Sequence, residues 1–283
     1  MIGERRMVKM STVWDRTTEF VGSHAGAIAP IAILAILLPT AASGTLDAWR
    51  LTLDPASQMA VSIAGLVLTV VTLWGTTAIT ALAVEPMGAA SAAAVANRRL
   101  LPVIAVTIVL LLGVLVLLLP MLGIILAAGI DVAALANAQT GTMPDLSAGT
   151  ALGVLIYGLV ALVVIIWLLA RLVVVTPVVV AERRGLGAIA RAWRLTRGHA
   201  LRIIGVILLY GLIAAIATLA AQAAFGTILG LTLGVPGNFG IDDVMTALLV
   251  GVVTTIISVL QTGFVAKLYL ALAPQRDLVN DFA

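Results

Sequence analysis

VVVAERRGLGAIARAWRLTRGHALRIIGVILL, residues 178–209, joins two long apolar runs through a segment rich in arginine. Six arginines fall within twenty residues of this stretch: Arg183, Arg184, Arg191, Arg194, Arg197 and Arg202. Two explanations account for such a cluster. The positive charges hold a loop on the cytoplasmic side of a membrane, or they bind an anionic partner.

The composition excludes a water-soluble fold. Hydrophobic residues make up 62% of the 283 residues and charged residues only 10%, whereas soluble domains average about 25% charged residues. Long apolar runs recur along the chain, which predicts an all-α, polytopic membrane protein. A transmembrane β-barrel needs segments of about ten residues with alternating polarity, and the sequence lacks them. Because the chain has no cysteine, disulfides and cysteine-bound metals are excluded.

Six segments are long enough to cross a membrane, which takes about 20 apolar residues. They are residues 25–43, 59–84, 103–130, 150–181, 201–233 and 244–273, and we treat residues 1–283 as a single integral membrane domain. Pro177 predicts a kink near the end of the fourth span, because proline lacks a backbone donor and clashes with the preceding turn. The four-residue spacing of Gly226, Gly230 and Gly234 predicts close helix packing in the fifth span.

The charges of the connecting segments alternate along the chain. Lysine and arginine cluster before the first span, after the second, after the fourth and after the sixth. The remaining connections hold one base, Arg50, and the acidic residues Asp47, Asp54, Asp131, Asp145, Asp242 and Asp243. Because the lysine and arginine bias sets orientation, both termini are predicted to face the cytoplasm of a bacterial inner-membrane protein. As an alternative, the first apolar run, ending PTAASG, is a cleaved signal peptide, which would leave five spans.

A segment that can form a short interfacial helix precedes each odd-numbered span. These segments read STVWDRTTEFVGSH, MGAASAAAVANRRL and RGLGAIARAWRLTRGH. The pattern predicts three units, each an interfacial helix followed by a transmembrane hairpin. The predicted apolar stripes are Val13, Thr17, Phe20 and His24 in the first helix, and Leu186, Ile189 and Trp193 in the third.

The third unit also carries a family resemblance. Its sequence TPVVVAERRGLGAIARAWRLTRGHALRIIG resembles the central motif of the membrane domain attached to some bacterial glycerophosphodiester phosphodiesterases. The segments STVWDRTTEF and FVAKLYLAL are similar to that family and to the YciC-like inner-membrane proteins. The motif's features fall on Pro177, Glu182, Gly185, Ala188, Ala192, Trp193, Arg194, Leu195 and Thr196.

The resemblance implies a stand-alone membrane domain without enzymatic activity. The catalytic half of those phosphodiesterases is a soluble barrel with histidine and acidic metal ligands, and no such segment follows the last span here. The only histidines are His24 and His199, and two ligands without nearby carboxylates make a poor metal site. We therefore expect no catalytic residue, no metal and no cofactor.

The lipid-headgroup candidates lie in the third interfacial helix and just after it. They are Arg191, Arg194, Arg197, Arg202 and Trp193. Guanidinium groups match phosphate geometry bidentately, and an anionic leaflet attracts each basic residue by about 1 kcal/mol. In the competing interpretation these arginines only fix the topology and extend to the interface.

Three further residues are intramembrane polar candidates: Arg171, Glu182 and Glu85. Arg171 lies inside the fourth span, where a charge is costly and often functional, although an amide such as Gln261 or Gln222 could hold it for packing alone. Glu85 and Glu182 occupy matching positions at the ends of spans two and four. Because basic clusters lie close in sequence, structural ion pairs are predicted there.

These observations favour a membrane-homeostasis or scaffold protein whose partners are anionic phospholipids. The alternative is a small-solute or lipid-precursor transporter with Arg171 in a polar pathway. Nucleic acid is not an expected partner, and the sequence leaves open a homo-oligomer or a complex with another membrane protein.

Overall fold

The computed structural model describes residues 10–50, 53–129, 147–233 and 239–273. Within these ranges every regular element is helical, and no strand occurs. Six helical segments are long and apolar enough to cross a membrane. The chain is therefore an all-α, multi-pass membrane protein with the predicted number of spans.

The described helices follow one another in chain order. They are α1 (Met10–Ser23), α2 (Ala25–Arg50), α3 (Pro55–Val84), α4 (Ala89–Ala127), α5 (Ala148–Leu172), α6 (Val175–Ala181), α7 (Gly187–Leu195), α8 (Ala200–Thr232) and α9 (Ile241–Leu272). Helices α5 and α6 together make the fourth span. Helices α1 and α7 are the short ones that precede spans one and five.

Proline explains two distortions of the spans. The fourth span breaks at Val173 and Val174, and α6 then carries Pro177 in its first turn, which confirms the predicted kink. Helix α2 contains a π-helical turn, Ile33–Leu37, just before Pro39. Because Pro39 has no N–H group, it cannot donate to the carbonyl of Ala35 four residues earlier.

The second predicted interfacial helix is not a separate element. Helix α4 runs without interruption from Ala89 to Ala127, so this segment is the first part of the third span. Alanine is the strongest helix former, and the first twelve residues of α4 contain neither glycine nor proline to end the helix. The predicted grouping into three units is therefore not confirmed.

The most deeply buried side chains collect at one end of the bundle, which we call the basic end. Here α3 and α6 end, α4 begins, and α7 and the last turns of α9 pack together. Small and β-branched residues dominate this core, including Ala78, Ile79, Leu82, Ala92, Ala96, Val174, Val178, Ala188, Ala192, Leu268 and Tyr269. Elsewhere the spans expose aliphatic side chains such as Leu155 (68%) and Leu219 (64%), a surface that suits the acyl chains of a bilayer.

The first interfacial helix packs as its sequence predicts. Val13, Thr17 and Phe20 are buried, and Thr17 and Phe20 lie against Gly263 of α9. An aliphatic or aromatic stripe at helical spacing is enough to dock a short amphipathic helix of this kind.

A close approach of two helices occurs at a glycine that the sequence analysis did not single out. A β-carbon on Gly75 would lie 2.7 Å from the β-carbon of Ala35 and 3.1 Å from its carbonyl oxygen, so α2 and α3 nearly touch there. The predicted role of the fifth-span glycines is wrong for Gly230, where a β-carbon would meet nothing within 4 Å. Gly226 contacts only Thr246, at 3.9 Å, and Gly234 lies outside the described residues.

Polar side chains join neighbouring helices at several depths. The indole of Trp74 donates to Asn97 Oδ1 at 2.6 Å, and the hydroxyl of Tyr210 donates to the carbonyl of Ile257. At the basic end, Lys267 Nζ donates to the carbonyl oxygen of Ala83 at 2.7 Å. This bond satisfies one of the carbonyls that α3 leaves without an intrahelical partner at its C-terminus.

Candidate functional site

Glu182 is the centre of a buried polar cluster at the basic end. It follows the last residue of α6, and only 5% of its side chain is exposed. Arg191 Nε of α7 lies 2.9 Å from one carboxylate oxygen, and Arg184 Nε lies 3.0 Å from the other. The hydroxyl of the fully buried Tyr269 donates to the carboxylate at 3.3 Å. Glu182 therefore joins α6, α7 and α9, and its predicted ion pair is present.

The buried face of α7 differs from the predicted one. Ala188, Ala192 and Thr196 are fully buried at four-residue spacing, whereas Leu186 is 56% exposed. The predicted stripe of Leu186, Ile189 and Trp193 is thus wrong for Leu186, although Ile189 packs against the core. Small side chains face inward because they allow α7 to lie close to the broken fourth span.

Thr196 secures the end of α7 to that break. Its hydroxyl lies 2.9 Å from the carbonyl oxygen of Arg171, and within 3.0 Å of the carbonyl of Ala192. Helix α5 ends at Leu172, so the carbonyls of its last turn need partners from outside the helix. The threonine hydroxyl supplies one.

Arg171 lies beneath α7 between two tryptophans. Its guanidinium carbon is 5.4 Å from the ring centroid of Trp167 and 5.2 Å from that of Trp193, which are cation–π distances. The two indoles stack edge to face at 4.9 Å. Arg171 Nε and Nη1 are buried and have no hydrogen-bond partner among the described residues. The tryptophans, rather than the suggested glutamines, surround this charge.

The lipid-headgroup candidates fall into two groups. Arg191 is turned inward to Glu182, with 17% of its side chain exposed, and Trp193 is half-buried against Trp167 and Arg171. Arg194, Arg197 and Arg202 are exposed. The outer surface of α7 and the turn after it therefore present charged side chains at the basic end.

A cleft that the sequence analysis did not anticipate lies beside the Glu182 cluster. Its volume is about 410 Å³, and it opens where α3 gives way to α4 and α6 to α7. Its charged lining consists of Glu85, Arg98, Arg99, Glu182 and Arg183. The sequence signal for this cleft is the matching position of Glu85 and Glu182 at the ends of two spans. A basic cluster follows each glutamate, and the structure brings the two clusters side by side.

A second cavity lies among the membrane-spanning helices. It measures about 570 Å³ and is mainly apolar, and its polar lining side chains are Thr76, Thr80, Thr176, Gln261 and Thr262. Arg171 does not line this cavity. Within the described ranges, no three histidine, aspartate or glutamate side chains converge to form a metal site.

The family match covers the helices from α2 to α9. A model described as a domain of unknown function, DUF7847, matches residues 24–272, from the end of α1 to the end of α9. The chain belongs to the DUF7847 family. Neither the curated proteins nor the solved structures contain a match to it. The Glu182 cluster and the two cavities described above lie within the matched residues.

Proposed function

We propose that this DUF7847 protein is a non-enzymatic scaffold of the bacterial inner membrane that contacts anionic lipid through its basic end. The observation that carries the proposal is the two-sided character of α7. Its small inner face is buried against the bundle, while Arg194 is exposed in its last turn and Arg197 just beyond. Charged side chains at the end of an apolar bundle lie at headgroup depth, where each adds about 1 kcal/mol of attraction to an anionic leaflet.

This proposal differs from the sequence-based one in its residues. Arg191 belongs to the Glu182 cluster and Trp193 to the Arg171 cluster, so Arg194 and Arg197 are the headgroup residues, with Arg202 next to them. The resemblance to the membrane domain of glycerophosphodiester phosphodiesterases supports a role in membrane homeostasis. From the lysine and arginine bias of the connecting segments, we further propose that both termini and the basic end face the cytoplasm.

Lipid retention tests the headgroup role. Native mass spectrometry of the purified full chain would compare wild type with Arg194→Gln/Arg197→Gln, and Arg50→Gln at the opposite end serves as the charge control. We expect the double variant to lose most co-purified phosphatidylglycerol and the Arg50 variant to keep it. Equal retention of phosphatidylglycerol by all three proteins would indicate that these arginines only fix the topology.

Cysteine labelling tests the orientation, and the chain is suited to it because it contains no cysteine. Gly185 and Gly149 lie at opposite ends and are exposed, and a β-carbon added at either position would meet no other atom within 4 Å. In intact cells, a membrane-impermeant maleimide should label Gly149→Cys and spare Gly185→Cys until the membrane is permeabilised. The reverse pattern would place the basic end outside and overturn the proposed orientation.

The 570 Å³ cavity supports a second candidate, transport of a small solute or lipid precursor. Its threonine and glutamine side chains, not Arg171, would form the polar pathway. Re-swelling of proteoliposomes after a hyperosmotic glycerol shock is a direct test, with Thr176→Leu as the variant that fills the cavity. Re-swelling faster than in protein-free liposomes, and abolished by Thr176→Leu, would favour transport; equal rates favour the scaffold.

A further inference from the structure

The cleft at the basic end combines uncompensated positive charge with an apolar wall. Arg98 and Arg99 reach it from the first turns of α4, and Arg183 reaches it from the turn between α6 and α7. Its apolar lining includes Val84, Met87, Val95, Val180 and Leu270. A volume of about 410 Å³ falls within the range of small-molecule sites, about 300–1,000 Å³.

The two glutamates of the cleft do not neutralise these three arginines. Glu182 is already matched by Arg184 and Arg191. Glu85 forms no ion pair with any residue in the part of the chain that the structure describes. Among the described residues, three guanidinium groups thus share one cleft without a protein carboxylate in contact, an arrangement whose mutual repulsion a bound anion would relieve.

The backbone supports the same conclusion. Arg183 has a φ of 52°, in the left-handed region, where a side chain costs about 1 kcal/mol or more. Glycine takes this conformation freely, and Gly185 lies two residues away. The strained position nevertheless holds an arginine whose side chain lines the cleft. A strained residue of this kind, held in place by its surroundings, points to a function at that position.

We propose that this cleft binds the phosphate group of an amphiphilic phosphate ester. Guanidinium groups bind phosphate oxygens in pairs of parallel hydrogen bonds, and the apolar wall accepts the glycerol backbone and the first acyl carbons. The phosphate comes either from a membrane phospholipid or from a soluble glycerophosphate. The inference deepens the proposed lipid-contacting function but rests on different arginines, so the two can fail separately.

The experiment uses the full chain in detergent and four probes. Dihexanoyl phosphatidylglycerol presents the phosphate on a lipid, glycerol 3-phosphate and inorganic phosphate present it in solution, and dihexanoylglycerol lacks it. Binding is followed by native mass spectrometry and by the shift of the unfolding temperature. The cleft variant is Arg98→Gln/Arg99→Gln/Arg183→Gln, and the control is Arg16→Gln/Arg50→Gln, which removes exposed charges outside both the cleft and the α7 surface.

We expect wild type to bind dihexanoyl phosphatidylglycerol and the cleft variant to bind it about 100-fold more weakly, given three lost charges. The control should retain the affinity of wild type. If glycerol 3-phosphate binds with the same dependence on the cleft arginines, the site stands and its ligand is a soluble phosphate ester. If dihexanoylglycerol binds as well as the phospholipid, or if the cleft variant keeps wild-type affinity, the site is overturned.

Arg183→Gly keeps the test informative if the triple variant does not fold. Glycine relieves the left-handed backbone, so this variant should unfold at the same or a higher temperature than wild type without ligand. Its affinity for dihexanoyl phosphatidylglycerol should nonetheless fall by about fivefold or more. Unchanged affinity in this well-folded variant would contradict the proposal. Loss of binding in Arg194→Gln/Arg197→Gln, with wild-type affinity in the cleft variant, would instead support the α7 surface and contradict the cleft.

Discussion

Arg191 Nε lies 2.9 Å from one oxygen of the Glu182 carboxylate and 3.1 Å from the other. The bond spans the turn between α6 and α7 and is almost completely shielded from water. It fixes the angle at which α7 leaves the fourth span. The arginine that the sequence offered as a lipid ligand is thus part of the fold.

Glu182→Gln should destabilise the protein by about 3 kcal/mol, because it leaves Arg191 charged and poorly compensated in a buried site. Glu85→Gln removes a carboxylate from the matching, exposed position and should change stability by less than about 0.5 kcal/mol. Unfolding in SDS–detergent mixtures, followed by tryptophan fluorescence, measures both. Similar losses in the two variants would contradict the structural role of Glu182.

Thr196→Val keeps the shape of the side chain and removes the hydroxyl that bonds to the carbonyl of Arg171. The variant should lose about 1–3 kcal/mol, the cost of a buried carbonyl without its partner. Thr69→Val is the matched control, since its hydroxyl bonds to its own helix at an exposed position. A Thr196 variant as stable as the Thr69 variant would show that another group satisfies that carbonyl.

Gly75→Ala should destabilise the contact between α2 and α3 by about 1–3 kcal/mol, the usual cost of overpacking. The new methyl group would meet the β-carbon and the carbonyl group of Ala35, neither of which can rotate away. Gly65→Ala, in the same helix but with open space around it, should be neutral or gain up to about 1 kcal/mol from helix propensity. Thermal unfolding of both variants tests the difference, and equal values would mean that α2 shifts to accommodate the methyl group.

Asp54 gives the start of α3 a dependence on pH. Its carboxylate accepts hydrogen bonds from the Ser57 hydroxyl and from the amides of Ser57 and Ala56, and these hold the pKa of Asp54 below its ordinary value of 3.8. A carboxyl with a lowered folded-state pKa stabilises the fold above its ordinary pKa and loses that effect as the pH falls through the lowered value. Amide exchange in the first turn of α3, corrected for intrinsic rates, should therefore lose protection as the pH falls from the ordinary pKa of 3.8 through the lowered pKa. Asp54→Asn should abolish this pH dependence; an unchanged profile would assign it to another group.

The pattern of hydrophobic residues alone predicts the spans and the docking of α1. Few other structures bury long apolar runs or a stripe of Val13, Thr17 and Phe20. The same pattern failed for α7. Hydropathy ranks Leu186 far above Ala188 as an inward residue, yet close packing against the fourth span selects the smaller side chain. The basic-end cleft was missed because it lies between two segments far apart in the sequence, the first part of α4 with Arg98 and the turn between α6 and α7 with Arg183.

The motif that predicts a resemblance to the phosphodiesterase membrane domains is largely explained by packing. Ala188, Ala192 and Thr196 are its buried face, and Glu182 is the acid that holds α7 in place. This motif therefore indicates the structure of one turn and of the helix that follows it. Of the cleft arginines, Arg98 and Arg99 lie outside the motif, whereas Arg183 lies within it, between Glu182 and Gly185.

The position of α9 has a consequence for biogenesis. Gly263 of this helix receives Thr17 and Phe20 of α1, Gly251 receives Ala41 of α2, and Tyr269 reaches Glu182. Helix α9, the last of the six described spans in chain order, is therefore the one on which α1 and α2 dock. Until it inserts, α1 and α2 remain in the bilayer without their partner, and a chain arrested before Ile241 presents the insertion and quality-control machinery with an open bundle.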